Sequence, residues 1–110
     1  MASSVEYLNY VLEQLSDLED ITYRPMMGEF IIYYRDKIVG GIYDDRFLVK
    51  PTESARRLMP EASLELPYEG GREMLSVDVI DDREALKELL DAMYDELPEP
   101  KKRKQWKSKE

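Results

Sequence analysis

A chain of 110 residues, 43% of them hydrophobic, can close one modest core, burying about 60–70% of the surface that its unfolded form exposes. It holds no cysteine and no histidine, which removes disulfides, thiolate metal sites, thiol nucleophiles and the commonest general base at neutral pH. The net charge of −8 is uneven: residues 101–110 carry six Lys or Arg against one Glu, leaving 10 Lys or Arg against 23 Asp or Glu in residues 1–100, so the body repels nucleic acid and the tail attracts it.

The opening "MASSVEYLNYVLEQL" has acidic residues and no basic flank, which fits neither a secretory signal nor a transit peptide. With no run of 18 apolar residues to span a membrane, the expected compartment is the cytoplasm. Ser3 and Glu6 have capping-box spacing, and Val5, Leu8, Leu12 and Leu15 recur at helical intervals, predicting a helix from about Ser4 to Leu15. Ile21 to Tyr23 begins a β-branched and aromatic run that Pro25 interrupts, predicting a short or edge strand.

From Glu29 the period becomes two. Phe30, Ile32 and Tyr34 face one way, and Ile31, Tyr33 and Arg35 the other. "RDK" at 35–37 reads as a polar tip, followed by a strand from Ile38 to Tyr43 whose Gly40 and Gly41 mark a bulge or a close backbone approach. "DDR" at 44–46 is the next turn and Phe47 to Lys50 the next strand; turns this short predict an antiparallel meander. Pro51 and Thr52 open a short helix that Pro60 ends, Leu64 and Leu66 begin a hairpin across "EGGR", and Met74 to Val79 returns. Asp81, with Glu84 three residues on, is the expected cap of a long helix whose stripe is Leu86, Leu89, Leu90, Met93 and Leu97. The predicted fold is α+β and two-layered: helix, a three- or four-stranded antiparallel meander, helix, β-hairpin, helix. Pro98 and Pro100 separate a domain over residues 1–97 from a basic, disordered tail over residues 98–110.

Candidate chemistry is sparse. The acidic pairs Glu19/Asp20, Asp44/Asp45 and Asp81/Asp82 could meet a hard cation, but each lies where a turn or cap favours Asp, and no metal or other cofactor is expected. Ser76 has no histidine to activate it, and the glycine pairs are too short to cradle phosphate. Met26 and Met27 read as flexible core filler rather than a thioether metal site. No enzyme is expected. The alternate register of the meander, with Tyr33 and Tyr43, is expected to leave a sheet face uncovered as an interaction surface, and part of that face or a sheet edge to form a homodimer. In the tail, Lys101, Lys102, Arg103, Lys104, Trp106 and Lys107 could hold nucleic acid through phosphates and stacking, or act only as a solubilising segment.

The order Arg24, Met26-Met27-Gly28, Tyr33-Tyr34, Arg35-Asp36-Lys37, Gly40-Gly41-Ile42, Asp44-Asp45-Arg46 and Leu48-Val49-Lys50 resembles the N-terminal domain of the TfoX/Sxy-type competence regulators. "LPYEGG" at 66–71 and "DELPEPKK" at 95–102 resemble a stand-alone bacterial branch of that family. The resemblance covers about Val5 to Pro100. It implies an α+β fold similar to secretion chaperones and a link to transcriptional regulation of DNA uptake, alongside a DNA-bound activator. It supplies no catalytic residues. Arg24 and Lys50 match its pattern, in a structural or a binding role. The expected function is thus a protein-interaction module, with direct nucleic-acid binding through the tail as the alternative.

Overall fold

The computed structural model describes residues 4–98. Its elements run α1 (Val5–Gln14), β1 (Ile21–Met26), β2 (Glu29–Tyr34), β3 (Lys37–Ile42), β4 (Phe47–Val49), α2 (Glu53–Leu58), β5 (Leu64–Glu65), β6 (Met74–Ser76) and α3 (Arg83–Tyr94). The strands form one antiparallel sheet in the order β1-β2-β3-β4-β6-β5. The fold is the expected α+β arrangement, with the meander and the hairpin fused through the pairing of β4 with β6.

Both helix starts sit one residue later than the capping-box pattern suggests. Ser4, whose Oγ accepts the Tyr7 N–H at 3.1 Å, caps α1, and Asp82, whose Oδ1 accepts the Ala85 N–H at 3.1 Å, caps α3. Glu6 and Glu84 therefore lie second in their helices. There they still favour the positive end of the dipole without closing a reciprocal box. Thr52 caps α2 as expected. The shift also alters the stripe of α1: Val5 is 59% exposed, and fully buried Val11 takes its place beside Leu8 and Leu15.

Three tight connections build the meander. Met27-Gly28 (φ 52° and 86°), Arg35-Asp36 (51° and 70°) and Asp44-Asp45 (54° and 57°) each put two consecutive residues at positive φ, as a type I′ hairpin turn requires. Such turns match the right-handed twist of the flanking strands, so register follows from turn geometry. Between β2 and β3 the pairing steps from Tyr33↔Ile38 to Ile32↔Gly40, leaving Val39 as a bulge. A Cβ on Gly40 would lie 2.0 Å from the Leu48 carbonyl oxygen, and one on Gly41 would lie 2.7 Å from that of Phe30. Both the bulge and the close approach expected of the glycine pair are present.

The core lies between one sheet face and the helices. Ile32, Tyr34, Val39, Ile42, Phe47, Val49 and Leu75 from the sheet meet Leu8, Val11 and Leu15 of α1 and the full predicted stripe of α3. Each such side chain, fully buried, contributes about 1.5–3 kcal/mol of transfer free energy. Lys37 departs from the polar tip expected at 35–37, being only 6% exposed. Its Nζ donates to the Tyr94 carbonyl at 3.1 Å, near the negative end of α3, and lies 4.2 Å from the centre of the Tyr94 ring. No helix among the described residues is long and apolar enough to cross a membrane.

Candidate interaction face

Alternation along the strands decides what the other face of the sheet presents. Directly paired residues share a face, so the pairs Thr22↔Tyr33, Arg24↔Ile31, Tyr33↔Ile38 and Gly41↔Leu48 all project away from the helices. Tyr43 and Lys50, each following a core residue, project the same way. The four interaction residues predicted from sequence thus lie on this one face, in two hollows. Arg24 and Tyr33 line a small polar one of about 260 Å³ with Thr22 and Asp36, and Tyr43 and Lys50 line a cleft of about 660 Å³.

The floor of the cleft is Met26, Ile31 and Ile38, and its far wall is the segment from Pro67 to Met74. That segment returns over the sheet. The ring of Tyr68 meets the ring of Tyr43 edge-on at 6.0 Å between centres, and Tyr43 is left 7% exposed. Burial pushes the Tyr43 phenol up, with the nearby Tyr68 and Glu29 adding to the effect. Leu48 is also fully buried, yet it lies outside the helix-side core, so this face has a small apolar centre of its own. Of the four residues, Arg24 is exposed and Tyr33 and Lys50 are half-buried, whereas Tyr43 is buried against the Tyr68 ring.

Arg46 anchors the covering segment, a role that its place in the "DDR" turn gave no reason to expect. Its Nε donates to the Tyr43 carbonyl at 3.1 Å, its Nη1 to Glu65 Oε1 at 2.6 Å and its Nη2 to the Leu66 carbonyl at 3.2 Å. The Arg46 hydrogen bond holds the Glu65 carboxyl below its usual range. Both Arg46 and Glu65 are about one-third exposed, so the pair is worth only about 1 kcal/mol or less.

The remaining candidates serve turns and caps. Asp44 and Asp45 form a hairpin turn, and Asp45 Oδ1 also accepts the Ser4 N–H at 2.8 Å. Asp82 is a helix cap and Asp20 is a left-handed residue whose carbonyl accepts the Arg35 N–H. Among the described residues no group of three or more acidic side chains could hold a metal ion. The methionine pair is not core filler: Met27 occupies a turn position at 94% exposure, and Met26 lines the cleft. The tail candidates Lys101, Lys102, Arg103, Lys104, Trp106 and Lys107 lie outside the described residues.

The family model of the TfoX N-terminal domain matches residues 13–97, from within α1 to Leu97, the last buried side chain among the described residues. The chain belongs to the TfoX N-terminal domain family. It is also 30% identical over 105 residues to the "uncharacterized 12.7 kDa protein in trpE 5′ region" of Spirochaeta aurantia, covering 94% of this chain and 91% of that protein. No solved structure matches. The segment matched as a TfoX N-terminal domain includes the whole sheet, both hollows and Arg46.

Proposed function

We propose that this TfoX N-terminal domain is a non-enzymatic cytoplasmic docking module. It binds a protein partner on the helix-free face of its sheet and acts as an accessory to a transcriptional regulator of the competence type. The cleft between Ile31, Ile38 and the Tyr68 segment carries this reading: apolar and aromatic groups at the centre with Lys50 and Arg72 among its lining is the composition of an interface patch. The acidic body supports contact with a protein rather than with DNA. The test is capture of partners from native lysate on full-length protein, beside an Ile38→Asp variant that keeps its thermal midpoint. A partner retained by the parent and lost by the variant is expected; repeated recovery of none by folded protein overturns the reading.

The concentration of six basic residues in 101–110 supports a second reading, direct nucleic-acid binding through the tail. The log–log salt slope should then approach about −5, and deletion of 101–109 should abolish binding. Absence of any gel shift at low salt rules it out.

A further inference from the structure

The two edges of the sheet differ. β5 is a two-residue strand, too short to template another chain, whereas β1 spans six residues, five of them exposed. The Arg35 N–H bonds the Asp20 carbonyl at 3.0 Å, which sets the phase of the β1–β2 ladder. Hydrogen-bonded pairs alternate, so Thr22, Arg24 and Met26 point their backbone groups at β2, while Ile21, Tyr23 and Pro25 point theirs outward. Pro25 therefore costs the ladder nothing. It lacks an N–H where one would face a new strand, which confines any addition to Ile21 and Tyr23. Hollows flank this edge on both sides, one lined by Leu12, Leu15, Leu18 and Tyr23, the other by Thr22, Arg24 and Tyr33.

We propose that β1 is a self-association edge: a second copy of this chain adds its own β1 antiparallel, about a twofold axis through Thr22, joining two six-stranded sheets into one. This inference is independent of the docking reading above. Centring on Thr22 places Ile21 opposite the other copy's Tyr23 and Asp20 opposite its Arg24, and symmetry repeats both pairs. Each Ile21–Tyr23 pair exchanges two backbone hydrogen bonds, four in all. On the helix side these are two aromatic–β-branched pairs, covering a Tyr23 that is otherwise 47% exposed. On the other side Thr22 meets Thr22, and at each end of the short ladder the long Arg24 side chain comes within reach of the other copy's Asp20, which lies just before β1 and outside its alternation. Each of these is a favoured cross-strand combination. The Arg24 guanidinium makes no hydrogen bond or ion pair among the described residues, so the charge that completes the pattern is available. Beyond it the left-handed Asp20 (φ 63°) and Pro25 end the ladder, giving a finite dimer rather than a filament.

Sedimentation velocity of the full-length chain from about 1 µM to about 1 mM should show a reversible monomer–dimer equilibrium. Tyr23→Pro deletes an outward N–H as native Pro25 does, so it should remove the dimer, while the lost edge-on contact of Tyr23 with Phe30 lowers the melting midpoint by only a few degrees. Arg24→Asp should weaken association about tenfold or more by opposing like charges at two symmetric points. Asp20→Lys added to Arg24→Asp should restore it. If Tyr23→Pro fails to fold, the charge reversal and its rescue carry the test. A chain monomeric throughout the range, or a dimer untouched by the charge reversal, overturns the proposal.

Discussion

The two faces of the sheet are built from alternate residues of the same strands and are finished in opposite ways. On the helix side Ile32, Val49, Phe47 and Leu75 are sealed against α1 and α3, and no buried side-chain polar atom lacks a hydrogen-bond partner among the described residues. On the other side Leu48 is buried outside the helix-side core, Tyr43 is met by an irregular segment whose Tyr68 is itself 56% exposed, and Met26 and Ile38 stay partly open. A helix docks a continuous stripe of side chains. A short segment held by Arg46 and one ring contact covers a patch and leaves a cleft beside it. In β2 one period-two run therefore sends its even-numbered residues into the core and leaves its odd-numbered ones on the face with the open cleft, the surface proposed for docking.

The most severe way to break this division is Gly40→Ala, at the bulge that lets β3 approach β4. The new Cβ meets backbone of Leu48 and Val49, which cannot rotate away as a side chain could. A loss of more than ~3 kcal/mol is expected, enough to leave much of a marginal domain unfolded, read by urea denaturation or by loss of soluble expression.

Next in size is the link between the β2–β3 hairpin and α3. Tyr34 Oη donates to Asp91 Oδ1 at 2.5 Å, and the phenol is pushed up to about 12 by burial, then by the Asp91 hydrogen bond and charge. The folded value lies above the unfolded one, so the stabilisation is complete below pH 10 and is lost as pH rises through 12. The span corresponds to roughly 2–3 kcal/mol. Urea midpoints should show the parent more stable than Tyr34→Phe at pH 9, with the gap closing towards pH 12. A constant gap would place the effect in packing alone.

Tyr68→Ala tests the other face. Tyr68 is half-exposed and distant from the helix-side core, so the expected cost is only about 1 kcal/mol. Hydrogen exchange should quicken at Tyr43 and Leu48 and stay unchanged in α3. Equal loosening of both faces would show the sheet to be a single cooperative unit.

How legible these features are in the sequence follows from how local their causes are. The period-two meander, the turns at 35–36 and 44–45 and the α3 stripe depend on neighbours within a few residues, and each was readable there, whereas the Met27-Gly28 turn was hidden because the methionine pair read as core filler. The caps were displaced by one residue because adjacent candidates, Ser3 beside Ser4 and Asp81 beside Asp82, satisfy the same pattern. The β4–β6 pairing, the Tyr68 cover on Tyr43 and the Arg46 clamp join residues about 20 or more positions apart, and no local pattern encodes them. Lys37 looked like a tip residue because its burial depends on Tyr94, contributed by a helix 57 residues away. For the candidate site, alternation singled out Tyr33 and Tyr43, and Arg24 and Lys50 entered only through the family resemblance; that all four share one face, and what covers Tyr43, required the fold.

The smallest expected effect bears most directly on what the open face is for. Met27 holds φ 52° in the first hairpin turn, a conformation costly for a residue with a Cβ, and its side chain is 94% exposed, so packing gives little in return. Met27→Asn creates the Asn-Gly pair that such turns favour most and should stabilise the fold by about 0.5–1 kcal/mol, raising the melting midpoint by a few degrees. Under the proposed docking function the methionine serves contact where stability would favour Asn, since a flexible thioether next in sequence to Met26 of the cleft suits an adaptable surface. The variant should therefore melt higher and, if the docking proposal holds, retain a captured partner less tightly. If it melts higher with partner capture unchanged, Met27 lies outside the docking surface, and the interface centres on Ile38 and Tyr68.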